Sequence, residues 1–185
     1  DVERALQKGV NTGAIVMALN RLAPYLQVRE QVQLNKLLSN MGDIILRSSL
    51  CDYTFKNSPT LLDCHIEVLK NLVKNDEIFY TMVQGVFETN LVISDTMEEL
   101  IADYFKDELC LFKKNGLSFR LSSMTLKLPK GNSMQAGFYY TIMKELSWEG
   151  INLTEVISST NEFTVVVDNA LIDKTFVVLK NIGKR

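Results

Sequence analysis

Apolar residues first recur at helical spacing. Ile15, Val16, Leu19 and Leu22 lie along one side of a helix that Asn11 or Thr12 can cap. Pro24 disfavours the helical conformation at Ala23, so this helix is expected to end there. A second helix is predicted over 28–40, with Leu34, Leu37, Leu38 and Met41 on its apolar side and Gly42 as its stop. A shorter one is predicted over 4–10. From Asp43 the period becomes mixed. Segments 44–46 and 50–55 read as strands. Pro59 suits a helix start, and Leu62, Ile66, Leu69 and Val73 mark that helix's apolar face. Strands follow over 78–83 and 88–93. Asp95 or Thr96 caps a helix bearing Met97, Leu100, Ile101 and Tyr104, and 109–112 reads as a strand before a turn at Lys114, Asn115 and Gly116.

The order then recurs. A strand over 121–128 leads into a polar turn, Pro129 to Ser133, and a helix carrying Phe138, Ile142 and Leu146. Gly150 suits the left-handed stop of that helix. Segment 151–157 is a strand, 158–162 a polar connection, and Phe163, Val165 and Val167 alternate with Thr164 and Val166 in a further strand. That near-continuous apolar run predicts a strand face that is covered, or a sheet edge that pairs. Ile172, Phe176 and Leu179 mark the last helix.

The order β-α-β-β-α thus occurs twice, which predicts an α+β fold of two ferredoxin-like βαββαβ units. The second unit ends on its helix and lacks a last strand. The spare strand near 43–48 is the candidate to fill the gap, which would interlock the two. The expected division is a helical region at 1–42, a first unit at 43–120 and a second at 121–185.

Composition narrows the function. The chain has 185 residues, 46% hydrophobic and 23% charged, and a formal net charge of −2. That balance argues against a nucleic-acid-binding surface, and the helices before Gly42 carry only the dispersed Arg21, Arg29 and Lys36 for such a role. No apolar run is long enough to span a membrane, and no signal-peptide pattern is visible. Three cysteines, Cys51, Cys64 and Cys110, fit a reducing, cytoplasmic setting rather than a disulfide framework. Cys64 and His65 have no metal-ligand spacing, so no metal and no cofactor is expected. Nine glycines form neither GxGxxG nor GxxxxGK[ST], and a single histidine supports no hydrolytic triad. No catalytic residue is assigned.

Gly150, Ile151, Asn152 and Leu153, then Ile157, Ser158, Ser159 and Thr160, then Glu162, are similar in order to the second regulatory ACT unit of aspartate kinases. One extra residue, Ser159 or Asn161, shifts the register. The catalytic kinase domain with its glycine-rich phosphate loop is absent, and residues 13–26 resemble small stand-alone ACT proteins of bacteria and archaea. The resemblance implies a non-catalytic regulator in which tandem ACT domains sense a free amino acid and act on amino-acid metabolism. It implies a homodimer, with a protein partner as a further possibility. The regulatory part of an aspartate kinase is the alternative, and a ligand-responsive DNA-binding regulator the third. By resemblance the ligand contacts are Gly131, Asn132, Ser133 and Met134 from the turn, Asn152 and Leu153 from the strand, and Ser158, Thr160 and Glu162 from the connection, with Asp63 as a counterpart in the first unit. Backbone N–H groups at a helix start suit an amino acid's carboxylate.

Overall fold

The computed structural model describes residues 12–72, 77–114 and 120–182, without the side chains of 23–31. The helix expected over 4–10, the Asn11 cap, Val73 and the turn residues Asn115 and Gly116 lie outside this set.

One helix, α1 (Thr12–Ser39), stands where two were expected. Pro24 lies inside it. Proline lacks the N–H that would reach the Asn20 carbonyl, so one rung of the ladder is lost. The Ala, Leu, Gln and Arg residues on either side favour helix strongly enough to carry it through. Among the described side chains of α1, Leu34 and Leu38 near its C-terminal end are buried, with Leu37 and Met41 packed beside them. Val16, Leu19 and Leu22 are more than half exposed.

The strands are β1 (Ile44–Lys56), β2 (Tyr80–Gln84), β3 (Glu88–Ser94), β4 (Cys110–Lys114), β5 (Leu121–Lys127), β6 (Leu153–Ser158) and β7 (Glu162–Asp168). Between them run α2 (Leu61–Leu72), α3 (Glu98–Tyr104) and α4 (Phe138–Trp148), and α5 (Ile172–Asn181) follows β7. All seven strands form one sheet in the order β2-β3-β1-β5-β7-β6, with β4 also paired to β1, and every pairing is antiparallel. The order β4-β1-β3-β2 in the first half is that of a ferredoxin-like unit. In the second half, β5, β7 and β6 have the same relation, and the place of a fourth strand beside β5 is taken by β1.

The two strands expected near 44–55 are therefore one. Ile44 to Arg47 and Leu50 pair with β5, and Leu50 to Lys56 pair with β3 on the other edge. The pairing with β5 is interrupted by a bulge between Arg47 and Leu50, where Ser49 adopts φ 59° and the pairing with β3 begins. A bulge bends the strand and raises its twist, which lets one strand serve two sheets' worth of curvature. β7 is an interior strand rather than an edge, and all five residues from Phe163 to Val167 are buried.

Strand alternation sorts the core into three parts. On one face of β5 and β7, Met124, Leu126, Phe163, Val165 and Val167 meet α1, α4 and α5. On the same face of β1 and β3, Cys51, Tyr53, Phe55, Leu91 and Ile93 meet α2 and α3. The opposite face carries Leu50, Val92, Leu121 and Val166, with Phe79 and Ile157 packed against them. Asn90 on β3 donates to Glu155 on β6 at 3.1 Å. Those strands are four places apart in the sheet, about 19 Å if it were flat. The sheet therefore curls until its two ends face each other, with the third cluster inside and the helices outside.

Two helices differ from expectation in the face they bury. On α2, Leu61 and Val68 point inward, while Leu62, Ile66 and Leu69 are 59%, 43% and 40% exposed. The helix has two apolar stripes side by side, and periodicity alone cannot choose between them. On α5, Thr175 is buried and donates to the Leu171 carbonyl at 2.8 Å, while Phe176 is partly exposed.

Candidate effector site

At the end of β5 the chain turns outward. Leu128 N–H donates to the Asn161 carbonyl at 2.7 Å, tying this turn to the β6–β7 connection. Gly131 takes the left-handed conformation, φ 87°, and opens a 3₁₀ turn over Asn132–Met134. Asn132 is 4% exposed. Its amide donates to the Pro129 and Thr160 carbonyls, each at 3.0 Å, and its oxygen accepts from the Tyr139 hydroxyl at 3.3 Å. The Tyr139 hydroxyl also lies 3.1 Å from Ser158 Oγ. Asn132 is thus a pin holding the two loops together, its amide fully engaged inside the protein.

Around that pin the surface is open. Gly131, Ser133, Met134, Ser158, Thr160 and Glu162 are exposed. Gly137, at φ 82°, precedes α4, and no side chain caps the helix start. The corner therefore joins hydroxyl-bearing turn residues to a loop that leads into a helix N-terminus without a side-chain cap. The extra residue in the β6–β7 connection fits a turn closed by Ser159 N–H on the Glu162 carbonyl at 2.9 Å. The carbonyls of Thr160 and Asn161 in that turn hold Asn132 and Leu128.

Asn152 and Leu153 are elsewhere. Leu153 pairs with Val167 and Ser158 with Phe163, so they mark opposite ends of β6. That is about 17 Å along the strand. The structure gathers the loop and connection residues at one corner and leaves Asn152 and Leu153 at the far end of the sheet.

The first half has a matching corner between β1 and α2. Asn57 donates to the Gly85 and Val86 carbonyls at 2.9 and 3.2 Å and accepts from Thr89 Oγ1 at 2.7 Å, pinning the loop to the β2–β3 turn as Asn132 does in the second half. Here the helix start is filled. Ser58 Oγ accepts from Leu61 N–H at 3.1 Å and donates to Glu108 Oε2 at 2.6 Å. Thr60 Oγ1 donates to Glu108 Oε1 at 2.5 Å, with Cys64 Sγ 3.8 Å from the same oxygen. Burial, and after it the Glu108 charge, push the Cys64 thiol up. Asp63 is exposed on the first turn of α2. Sequence reasoning singled out neither pinning role, nor Tyr139, nor Glu108. Asn57 and Asn132 each follow a strand and precede a helix, and that shared placement was the available signal. Glu108 is 48 residues from Thr60, and no local pattern connects them.

Two further features bear on chemistry. On the inner face, Asp52 is 2% exposed, and Asn90 bridges its carboxylate, at 2.8 Å, to that of Glu155. Burial, partly offset by Asn90 and Lys114, raises the Asp52 carboxyl, and burial followed by the charges of Asp52 and Glu88 raises that of Glu155. A cleft of about 270 Å³ lies where α1, α4 and α5 meet, flanked by Lys144, Glu149 and Lys174. Its charges are already matched, Lys144 with Glu145 and Lys174 with Glu149. Among the described residues no group of three metal-ligating side chains occurs, and no helix is long and apolar enough to cross a membrane.

No protein-family model matches the chain, and no curated protein matches it in sequence. Solved structures do match its fold. Aspartate kinase from Clostridium acetobutylicum, described as an allosteric enzyme, aligns over 77% of this chain and 34% of its own, with TM-score 0.58 and 14% identity. The ligand-free regulatory subunit of aspartate kinase from Thermus thermophilus aligns over 77% and 97%, with TM-score 0.57 and 9% identity. A putative C-terminal regulatory domain of aspartate kinase from Porphyromonas gingivalis W83 aligns over 77% and 97%, with TM-score 0.54 and 15% identity. The chain spans about a third of the Clostridium enzyme and nearly all of the two regulatory chains. It has the fold of the regulatory regions of aspartate kinases, as the resemblance to tandem ACT domains led one to expect.

Proposed function

From that fold as premise, we propose that the chain is a non-catalytic regulatory module that binds a free amino acid at the corner formed by Gly131, Ser133, Met134, Ser158, Thr160 and Glu162. The observation that supports this reading is the exposed turn of Gly131, Ser133 and Met134, held against the β6–β7 connection through Asn132 and leading into an α4 start without a side-chain cap. An uncapped helix start favours a carboxylate, and Glu162 is the carboxylate near the connection that an ammonium group could pair with. Binding that prefers one packing of the curled sheet would pass that preference to a partner. Asn152 and Leu153, at the far end of β6, lie outside this corner. The exposed stripe Leu62, Ile66 and Leu69 on α2 and the outer edges of β2 and β6, without a strand partner among the described residues, support association into a dimer.

The test is thermal unfolding against each of the twenty amino acids at millimolar concentration. A ligand present at 100 times its dissociation constant stabilises the chain by about 2.7 kcal/mol. A midpoint unmoved by all twenty defeats the reading.

A second reading is that the chain is the regulatory part of an aspartate kinase. Its fold likeness to the regulatory region of the Clostridium enzyme supports this. Adding the chain to a catalytic kinase domain encoded beside it, and finding that an amino acid then changes the rate, would decide for it.

A further inference from the structure

The two corners are built alike and filled differently. Each follows a strand, is pinned to the neighbouring hairpin by an asparagine, and opens onto a helix N-terminus. In the second half that helix start has no side-chain cap. In the first half both carboxylate oxygens of Glu108 are engaged, one by Ser58 and one by Thr60, and Ser58 in turn caps Leu61. Glu108 follows α3 and is brought back over the start of α2 by the turn in which its N–H donates to the Phe105 carbonyl at 3.0 Å. Phe105 is buried against Phe55, ring centroids 4.8 Å apart, so the turn is anchored in the core. The carboxylate is thus held in place by packing and stands where an incoming carboxylate would stand.

We propose that Glu108 is a resident carboxylate that occupies the first corner, leaving one responsive corner per chain. This rests on the reading that such corners receive a carboxylate ligand. It goes beyond it in making the first half a self-filled, non-responding copy. The arrangement also keeps the first half in one liganded-like state whatever the effector concentration.

The test uses the full chain. Glu108→Ala empties the position, and its thermal midpoint is followed in sodium formate and sodium acetate against sodium chloride at equal ionic strength. The expected result is a lowered midpoint that formate or acetate raises saturably, by about 3 °C or more, while the wild-type midpoint follows chloride. A variant that responds to formate and acetate no more than to chloride overturns the proposal. If Glu108→Ala does not fold, Glu108→Gln in a Cys110→Ser background keeps the shape and removes the charge. Cys64 in it should then alkylate faster than in Cys110→Ser alone at fixed pH, because the neighbouring charge that raises its thiol is gone. An unchanged rate overturns the contact. Carboxylate rescue without any amino-acid response sinks the sensing reading alone, and an amino-acid response without rescue sinks the Glu108 proposal alone.

Discussion

Asn132 and Asp52 are the two buried polar residues on which most depends. Replacing Asn132 by alanine leaves the Pro129 and Thr160 carbonyls without their donor. The expected cost is about 1–3 kcal/mol, read by chemical denaturation, together with loss of any ligand response as the two loops separate. Thr160→Ala, which keeps the backbone carbonyl, should leave stability nearly unchanged. Asp52 and Glu155 share Asn90 on the inner face, and both carboxyls are raised above their ordinary values. The folded state therefore holds more protons than the unfolded chain between the ordinary carboxylate range and the raised values. Stability must fall as pH rises through that window and recover as pH is lowered toward the ordinary range. Asp52→Asn removes the Asp52 part, so the difference in unfolding free energy between variant and wild type should shift in favour of the variant as pH rises toward neutrality. A difference that is flat with pH would show that folding does not raise the Asp52 carboxyl.

At the scale of elements, α2 provides a direct check on which stripe faces the core. Val68→Ala should cost about 2 kcal/mol, whereas Leu69→Ala, at a position 40% exposed, should cost a small fraction of that. The reverse ranking would mean that the helix is rotated. The same helix explains what was legible in the sequence and what was not. Strand periods, the Gly150 stop, the faces of α4 and the end of α1 could be read because each had one apolar stripe or one residue suited to its conformation. α2 has two stripes, Pro24 was outweighed by its neighbours, and the bulge at Ser49 joins two strands that periodicity separates. At the candidate site, Gly131 and the exposed hydroxyls were visible as turn chemistry. The engaged amide of Asn132 and the reach of Glu108 were not, because each depends on chain segments remote in sequence.

For the whole molecule, β1 is the member that neither half can give up. Residues 121–185 alone lack the strand that lies against Leu121, Met124 and Leu126, so β5 would carry an open edge. That fragment should not fold cooperatively. Fusing residues 43–50 to it through a flexible linker should restore a sharp denaturant transition, and a fragment that folds as well without them would show that β1 is dispensable there. The intact chain is expected to unfold in one step, since β1 runs through both cores and Asn90 ties β3 to β6 across the inner face.

Glu108 has a consequence for the shape of a dose-response curve. If one corner is closed by the chain's own side chain as proposed, each polypeptide would take up a single effector molecule, and an isolated polypeptide would saturate hyperbolically. It has no second vacancy with which to cooperate. Any steepness in the response then belongs to the contact between polypeptides and should disappear on dilution to the monomer. Opening the first corner would give a lone polypeptide two vacancies joined through β1, and with them the means to respond sharply by itself.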